Sequence, residues 1–370
     1  MEPFATIKGR FGFGCMRLPM KDDHVDEEQF KVMVDHFMAK GFNYFDTATV
    51  YISGESETAL KHCLTSRYPR ESYSFTNKCS GSCFEKEEDL EPYFQRQLDA
   101  CGLEYFDFYL MHAQGRGNFE KYKRCHAYEF AFQKKKEGKI KHVGISFHDS
   151  PDFLRMILTE YPEIEVVQIQ FNYYDTDNPD VESLACYKIC EEFHKPVIVM
   201  EPVKGGSLVR LPEEAAKPLL DLNGGSLASY AIRFVLGFPQ IFMVLSGMSD
   251  IAQMDDNLSY TMDFVPLNEK ELAAIEEVKR RIREEAMIPC TACRYCVDGC
   301  PMKIDIPRIF KCLNDKTVFK NPWASFSYGR VTSEGKGKAS QCIECGQCED
   351  ACPQHLPIRS LLKNAAKEFE

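Results

Sequence analysis

Residues 45–51 are Phe-Asp-Thr-Ala-Thr-Val-Tyr, and this stretch gives the first indication of the fold. Asp46 ends an apolar run with the length of a short buried strand, and Tyr51 follows a few residues later. In a barrel of parallel strands, the polar side chains that carry out the chemistry lie at the carboxyl ends of the strands. The stretch therefore predicts that Asp46 and Tyr51 stand together at the mouth of such a barrel.

Seven further apolar runs resemble the one that ends at Asp46, and longer amphipathic segments separate them. This alternation is typical of parallel strands that are covered by helices. Closing eight such units into a (β/α)8 barrel leaves no exposed sheet edge. The predicted strands are Phe11–Met16, Asn43–Asp46, Ser74–Asn77, Phe106–Met111, His142–Ser146, Val166–Phe171, Val197–Met200 and Phe242–Leu245.

A change of composition towards the C-terminus divides the chain into two predicted domains, residues 1–286 and 287–370. The first is the α/β barrel, and a charged amphipathic helix over Asn268–Ala286 is expected to end it. Asn268 and Glu271 have the spacing of a capping box at the start of this helix. The second domain is predicted to be small and mainly helical.

Composition excludes several classes of function. The chain has 370 residues and a formal net charge of -11, which argues against binding to the phosphate backbone of nucleic acid. The N-terminal residues lack the pattern of a secretory signal, and no apolar run is long enough to cross a bilayer. Seventeen cysteines in such a chain favour reduced thiolates that bind metal over disulfides. We therefore expect a cytoplasmic protein with no membrane or nucleic-acid partner.

Eight of the cysteines form an internal repeat in the C-terminal domain. The repeat consists of Cys290, Cys293, Cys296 and Cys300 before Pro301, and of Cys342, Cys345, Cys348 and Cys352 before Pro353. In ferredoxins with two 4Fe-4S clusters, three thiolates of such a loop bind one cluster and the fourth binds the other. The predicted ligand sets are Cys290, Cys293, Cys296 and Cys352 for one cluster, and Cys342, Cys345, Cys348 and Cys300 for the other. Structural zinc is the alternative, but zinc sites take separated cysteine pairs and would leave a third thiol over.

Two further polar residues belong with Asp46 and Tyr51. Lys78 follows the third predicted strand and His112 follows the fourth, so both are placed at the same end of the barrel. A phenol is a poor acid at neutral pH, and the ammonium group of Lys78 would lower the pKa of Tyr51. Asp46 would keep Lys78 charged, and neutral His112 would donate a hydrogen bond to a carbonyl oxygen. Tyr51 would then deliver a proton as a hydride reaches the carbon atom.

Each of these four residues has an ordinary structural alternative when it is taken singly. A strand-end Asp often caps the next helix, and a Tyr or a lone His is usually a core residue with a bonded polar atom. Only the combination of the four indicates catalysis.

With these residues in place, the sequence resembles the aldo-keto reductase family over about residues 8–265. The family's catalytic Asp, Tyr, Lys and His match Asp46, Tyr51, Lys78 and His112 in order and strand position. Its local motifs are matched by GFNYFDTATVY, GESE, TNK, DFYLMH, VGIS, VQIQFNYYD, EPVKGG, LSGM and DN. The resemblance implies a (β/α)8 fold and nicotinamide-dependent interconversion of a carbonyl and an alcohol. The C-terminal part resembles the ferredoxin-type domain of a bacterial and archaeal branch of this family.

The resemblance also implies which residues contact the nicotinamide cofactor. Ser146 and Gln168 would hold the carboxamide group, while the segments Glu201–Leu208 and Ser246–Asn257 would line the pyrophosphate and the adenosine. The implied contacts are Gly14, Met16, Ser146, Gln168, Met200, Glu201, Pro202, Val203, Gly206, Leu208, Ser246, Gly247, Met248, Gln253, Asp256 and Asn257. The alternative for the glycines is that they only permit turns.

Three positions depart from the family pattern. Phe147 replaces the usual Asn, Met200 stands where many members stack a Tyr on the nicotinamide, and Ile52 replaces the Gly after the catalytic Tyr. The Ser246–Asn257 segment contains three Asp and no Lys or Arg. A 2′-phosphate would have no local cationic partner there. We therefore expect NAD(H) in preference to NADP(H), although family habit favours NADP(H).

Three functional hypotheses fit these patterns. The first is an oxidoreductase whose clusters pass electrons to or from the site, or a redox partner such as a ferredoxin or a flavoprotein. A hydride carries two electrons and each cluster carries one, so the coupling needs a flavin or a substrate that survives as a radical, and the sequence has no recognisable flavin motif. The second is carbonyl reduction beneath purely structural clusters, and the third is a non-catalytic electron carrier or sensor. The sequence predicts neither the substrate, the reaction direction nor the oligomeric state.

Overall fold

The structure is a computed structural model that describes residue 4 and residues 6–178, 181–284, 287–318, 324–333 and 335–370. The described residues form two compact units. The first unit takes in Met1–Asp177, Glu182–Pro202 and Ile232–Pro266, and the second takes in Asn178–Val181, Val203–Ala231 and Leu267–Glu370. The domain boundary predicted at residues 286 and 287 stays a prediction, and residue 286 lies outside the described part of the chain.

The first unit contains a closed barrel of parallel strands. The strands in chain order are β1 (Phe11–Gly14), β2 (Met20–Lys21), β3 (His24–Val25), β4 (Tyr44–Asp46), β5 (Ser74–Cys79), β6 (Phe106–Gln114), β7 (Ile140–Phe147), β8 (Val166–Gln170), β9 (Val197–Met200) and β10 (Ile241–Ser246). The barrel closes in the order β1-β10-β9-β8-β7-β6-β5-β4, and β2 and β3 form a separate antiparallel hairpin. Every predicted strand is confirmed, and so is the barrel topology.

Four of the barrel strands are longer than predicted, and in two of them the extra length takes in a predicted catalytic residue. β5 extends through Cys79, and β6 extends through Gln114. Lys78 and His112 therefore lie inside their strands and not after them, which corrects the expectation from sequence. The polar side chains interrupt the apolar runs, and the prediction ended each strand where its run ended.

Helices separate the barrel strands along the chain. They are α1 (Glu27–Ala39), α2 (Glu55–Leu60), α3 (Leu90–Cys101), α4 (Phe119–Arg124), α5 (Ala127–Lys136), α6 (Pro151–Glu160), α7 (Ser183–Glu192), α8 (Glu213–Leu220), α9 (Leu227–Leu236), α10 (Ile251–Thr261) and α11 (Glu269–Glu284). Their ends follow local rules: the Asp26 carboxylate caps α1 by accepting from the Gln29 N–H at 3.1 Å. Gly102 ends α3 with a φ of 66°, a conformation that favours glycine.

The predicted capping box at the start of α11 is confirmed. Asn268 Oδ1 accepts a hydrogen bond from the Glu271 N–H at 3.1 Å, and Glu271 Oε2 accepts one from the Asn268 N–H at 2.8 Å. The helix begins at Glu269 as expected and ends at Glu284, while residues 285 and 286 lie outside the described part of the chain. This helix belongs to the second compact unit.

The barrel interior is filled by large apolar side chains. The buried cluster comprises Tyr44, Phe108, Leu110, Val166, Ile198, Met243 and Leu245. Two glycines make room for it, because a Cβ atom on Gly12 would lie 2.9 Å from the side chains of Tyr44 and Leu245, and one on Gly144 would lie 2.5 Å from Val166. The barrel is therefore a packed core, and the polar side chains of interest lie at its ends.

The C-terminal part of the second unit is mainly helical, as predicted. It contains α12 (Tyr295–Asp298), α13 (Ile306–Thr317), α14 (Ala324–Val331), α15 (Gln347–Asp350) and α16 (Ile358–Phe369). α13 packs against α14 and α16 around a core that includes Ile309 and Phe310, both fully buried. Tyr328 and Phe369 stack with their ring centroids 4.4 Å apart. Among the described residues, no helix is both long and apolar enough to cross a membrane.

Candidate active site and cysteine-lined cavities

Neighbouring strands bring the four predicted catalytic residues together. Asp46 ends β4, Lys78 lies in β5 and His112 lies in β6, and these strands are adjacent in the barrel. The Lys78 ammonium group donates hydrogen bonds to Asp46 Oδ1 at 2.5 Å and to the Thr47 carbonyl at 2.8 Å. Its nitrogen lies 4.8 Å from the centroid of the Tyr51 ring. The rings of Tyr51 and His112 meet edge to face with centroids 5.9 Å apart.

Asp46 and Lys78 form an ion pair that is shielded from water, since their side chains are 4% and 0% exposed. Burial raises the pKa of Asp46, while the charge and hydrogen bond of Lys78 and the amide of Gln168 oppose that rise. Burial lowers the pKa of Lys78, and Asp46 opposes that change. Each charge therefore depends on its partner, because burying either one alone is costly.

The pKa of Tyr51 is shifted in the direction opposite to the expected one. Burial raises it well above its usual value, and the charge of Asp46 adds to the rise. Arg17 lowers the pKa of Tyr51 and Glu201 raises it, while Lys78 is not among the main causes. The net shift reflects burial, and the expectation that Lys78 acidifies the phenol stays a prediction. The phenol keeps its proton at neutral pH, which is the state that a proton donor requires.

His112 is neutral, in agreement with the expectation from sequence. Burial lowers its pKa well below the usual value, and the charges of Lys78 and His148 lower it further. One ring nitrogen, Nδ1, lies 2.7 Å from the hydroxyl oxygen of Ser80. Ser80 is the first residue after β5 and lies two positions beyond Lys78. Sequence reasoning missed Ser80, although its place shortly after the third apolar run could have indicated it.

A second ion pair lies beside Tyr51. Arg17 Nη2 is 3.1 Å from Glu201 Oε1, and the charges of both residues act on the Tyr51 phenol. Glu201 has a φ of 59° and its carbonyl accepts a hydrogen bond from Asn172 Nδ2 at 3.1 Å. A left-handed conformation is uncommon for Glu and is a form of strain often found at functional sites. Arg17 and Glu201 are 184 residues apart in the chain, so no local sequence pattern indicates that they pair.

Ile52, one of the three departures from the family pattern, has an unusual backbone conformation. Ile52 has a φ of 50° within the short 3-10 helix Tyr51–Gly54. Glycine tolerates this conformation, whereas a β-branched residue there is strained at a cost of about 1–3 kcal/mol. A family preference for Gly at this position is therefore explained by backbone geometry, and this chain tolerates the strain next to Tyr51.

Two of the residues predicted to hold a carboxamide are direct neighbours. Ser146 on β7 pairs in register with Gln168 on β8. Ser146 Oγ accepts a hydrogen bond from the Ala113 N–H at 2.7 Å, and Gln168 Nε2 donates one to Asp46 Oδ2 at 3.1 Å. The Ser146 hydroxyl proton and the Gln168 carbonyl oxygen are then a donor and an acceptor side by side. This pair fits a carboxamide, which presents one acceptor and one donor group.

The other predicted cofactor contacts are divided between the two units. The first unit contains Gly14, Met16, Met200, Glu201, Pro202, Ser246, Gly247, Met248, Gln253, Asp256 and Asn257. Gly14 and Ser246 end their strands, and Ser246 Oγ donates to Asn257 Oδ1 at 2.7 Å. Val203, Gly206 and Leu208 belong to the second unit. The structure therefore brings part of the predicted set to the strand ends of the barrel.

The eight repeat cysteines surround two cavities in the second unit. One cavity is lined by Cys290, Cys293, Cys296 and Cys352. The other is lined by Cys300, Cys342, Cys345 and Cys348. These sets are the two predicted ligand sets, and each takes its fourth cysteine from the other loop. In the part of the chain that the structure describes, no group of three His, Cys, Asp or Glu side chains is arranged to hold a single metal ion.

Both parts of the chain match known protein families. Residues 10–280 match the aldo/keto reductase family, which is most of the chain. The chain belongs to the aldo/keto reductase family. Residues 289–357 of this aldo/keto reductase match a 4Fe-4S dicluster domain, as predicted. The match over residues 10–280 places the chain among the oxidoreductases.

The sequence relatives of this aldo/keto reductase are distant. It is 26% identical to a probable aldo-keto reductase of Glycine max over 209 residues, and this match covers 53% of the chain and 56% of the relative. It is 22% identical to L-galactose dehydrogenase of Arabidopsis thaliana, with 74% of the chain and 91% of the relative covered. It thus spans about half the length of the soybean relative.

Solved structures share the fold of this aldo/keto reductase. An aldo-keto reductase of Klebsiella pneumoniae, solved in complex with NADPH, matches with a TM-score of 0.60 and 17% identity, covering 73% of this chain and 90% of that one. The holo form of an aldo-keto reductase of Bacillus halodurans matches with a TM-score of 0.59 and 23% identity, covering 73% and 91%. These matches support the barrel fold.

Proposed function

We propose that this protein is a nicotinamide-dependent oxidoreductase that interconverts a carbonyl and an alcohol. The observation that carries the proposal is the convergence of Tyr51, His112 and the Lys78–Asp46 ion pair at one end of the barrel. Membership of the aldo/keto reductase family over residues 10–280 supports the same reaction class.

Each side chain has a separate role in this proposal. Tyr51 is the general acid in reduction and the general base in oxidation, since its phenol holds a proton at neutral pH. Neutral His112 donates a hydrogen bond to the carbonyl oxygen and stabilises the charge that develops there. Lys78 holds a positive charge beneath the Tyr51 ring, and Asp46 keeps that charge in place.

The residues of the barrel fit a nicotinamide ring. Ser146 and Gln168 would hold its carboxamide, because their unused donor and acceptor lie on paired positions of β7 and β8. When bound, the cofactor would supply or accept the hydride. We propose NAD(H) as the preferred form, since the Ser246–Asn257 segment has no Lys or Arg to bind a 2′-phosphate. The Klebsiella relative binds NADPH, so the two affinities must be compared directly.

The eight repeat cysteines would hold two 4Fe-4S clusters. The ligand sets are those that line the two cavities, each with three thiolates from one loop and a fourth from the other. Bound clusters would exchange single electrons with a redox partner such as a ferredoxin or a flavoprotein, or with the site where the substrate survives as a radical. Two clusters together can hold the two electrons that correspond to one hydride.

Substitution of Tyr51 by Phe tests the reaction assignment. Turnover with NADH and a carbonyl substrate should fall by at least about 100-fold, because the proton donor is lost. The iron content should be unchanged, since Tyr51 is not among the residues that line the cysteine cavities. Full activity in this variant would remove the proposed general acid.

Electron paramagnetic resonance during turnover separates the active clusters from purely structural ones. A cluster signal that changes when NADH or substrate is added supports electron transfer. A signal that never changes while turnover continues would assign the clusters a structural role. If the protein binds no nicotinamide in calorimetry, the non-catalytic alternative becomes the better explanation.

A further inference from the structure

One segment of the second unit lies directly against a cluster-ligand loop. Residues Lys204–Val209 form a short helical turn in which Lys204, Gly205 and Gly206 all have positive φ, at 49°, 62° and 90°. A Cβ atom on Gly205 would lie 2.3 Å from the carbonyl oxygen of Thr291. The Ser207 hydroxyl donates to the carbonyl of Cys290 at 3.4 Å. Only glycine, which has no Cβ atom, allows the backbone of this left-handed turn to come so close to the Cys290–Cys293 loop.

This turn places a buried positive charge beside the first cysteine cavity. Lys204 is only 1% exposed, and its ammonium group donates to Gln354 Oε1 at 2.6 Å. Gln354 is itself buried and lines the cavity of Cys290, Cys293, Cys296 and Cys352. The charge of Lys204 acts on Cys352 and opposes the rise that burial causes in the pKa of that thiol. Lys204 thus contacts the cavity wall indirectly, through the buried side-chain amide of Gln354.

The two cysteine cavities differ in whether a buried cation lies next to them. They are alike in one feature, because each has an arginine in its wall that forms an ion pair with a carboxylate. Arg294 is 3.2 Å from Asp305 in the first cavity, and Arg359 is 2.7 Å from Glu349 in the second. Both arginines are about half exposed, so water and salt screen their charges. Lys204 is a buried cation next to the first cavity, where its charge is screened much less, whereas the described residues that line the second cavity include no buried Lys or Arg.

Resting on the cluster assignment above, we propose that Lys204 gives the cluster of Cys290, Cys293, Cys296 and Cys352 the higher reduction potential of the two. Reduction adds one electron to a cluster, with no bond made or broken, so a nearby positive charge stabilises the reduced form. Net charge and hydrogen bonds near the sulfur atoms set the potential of such clusters. An electron that arrives at the other cluster, whose ligand Cys345 is exposed, would then move to the Lys204 cluster.

An anaerobic redox titration of the full chain with dithionite as the reductant tests the proposal. Electron paramagnetic resonance and visible absorbance should resolve two midpoints in the wild-type protein. In Lys204→Gln, the higher midpoint should fall by at least a tenfold change in the equilibrium constant, which is about 59 mV for a one-electron couple. The lower midpoint should stay in place, and Lys204→Arg should retain the wild-type values.

A second variant keeps the lysine and changes its partner. Gln354→Glu puts a carboxylate at the position of the amide that Lys204 contacts, so it should lower the same midpoint by neutralising the ammonium group. It decides the question if Lys204→Gln fails to fold or loses iron. Lys367→Gln removes an exposed charge that lies outside both cavity linings and is the matched control.

Three results would overturn the proposal. One is a full iron content with both midpoints unchanged in Lys204→Gln and Gln354→Glu, and another is a shift of the lower midpoint alone. These two results leave the cluster assignment intact and reject only the role of Lys204. A wild-type chain that binds no iron under oxygen-free conditions rejects the cluster assignment itself, and the role of Lys204 with it.

Discussion

The Lys78 ammonium group and the Asp46 carboxylate lie 2.5 Å apart in a position that water does not reach. A buried pair of this kind contributes little over an apolar substitute, but breaking it leaves an uncompensated charge. The pair therefore constrains both the chemistry and the stability of the barrel.

Asp46→Asn tests this dependence. The variant keeps the shape of the side chain but leaves Lys78 buried without its anionic partner, so the free energy of unfolding should fall by about 3 kcal/mol or more. Asp35→Asn is the matched control, because Asp35 pairs with Arg67 at 2.8 Å on the surface, where such pairs contribute about 1 kcal/mol or less. Urea unfolding of both variants measures the difference. Equal losses in the two variants would contradict the argument.

The pH dependence of alcohol oxidation should report the charges beside Tyr51. Oxidation needs the phenolate, and burial followed by the Asp46 charge holds the pKa of Tyr51 well above its usual value. The rate should therefore rise with pH through the alkaline range without reaching a plateau. Arg17 lowers this pKa and Glu201 raises it. At a fixed alkaline pH, Glu201→Gln should oxidise faster than wild type and Arg17→Gln slower.

The opposite order of these two variants would show that Tyr51 is not the group that titrates. Reduction offers an internal check, since it uses the protonated phenol. At neutral pH the phenol stays protonated in both variants. A change in the pKa of Tyr51 should therefore not alter the rate of reduction in either of them.

Nicotinamide affinity should depend on the Ser146–Gln168 pair. Ser146→Ala removes the donor to the carboxamide, and the loss of one hydrogen bond of about 1 kcal/mol weakens binding roughly fivefold. Calorimetry with NADH and NADPH measures this loss and the preference between the two forms. Ser66→Ala, on an exposed surface, is the control. Tighter binding of NADPH in the wild-type protein would contradict the proposed preference for NAD(H).

The iron content should identify the cluster ligands. Wild-type protein purified without oxygen should hold about eight iron atoms per chain, as two clusters of four. Cys345→Ala should reduce this number to about four, because Cys345 lines only the second cavity. Cys83→Ala is the control, since Cys83 lines neither cavity. Loss of iron in the control, or full iron in Cys345→Ala, would contradict the ligand assignment.

The barrel was predictable because its strands are apolar runs of regular spacing, and each run reappears as a strand. The ends of β5 and β6 were not predictable in this way, since Lys78 and His112 are polar residues inside strands. The cysteine spacing anticipated which thiols share each cavity. The predicted cytoplasmic location stays a prediction.

Properties that depend on burial or on distant contacts could not be derived from sequence. The pKa of Tyr51 is raised because burial and the Asp46 charge outweigh the effect of Arg17, and the extent of burial follows only from the packed structure. Thr47 contacts Lys78 through its backbone carbonyl, which no side-chain pattern reveals. Lys204 contacts Gln354 across 150 residues of chain, so no local sequence pattern indicates this contact.

The composition of the second unit has a consequence for engineering. It includes Val203–Ala231, a stretch that precedes the last barrel strand in the chain, together with the C-terminal residues. A shortened chain that ended before Cys290 would deprive Gly205 and Ser207 of the backbone they pack against. The iron-binding portion therefore draws on sequence from within the reductase portion and is not a detachable module, so transplanting the C-terminal residues alone would expose a surface that Val203–Ala231 covers.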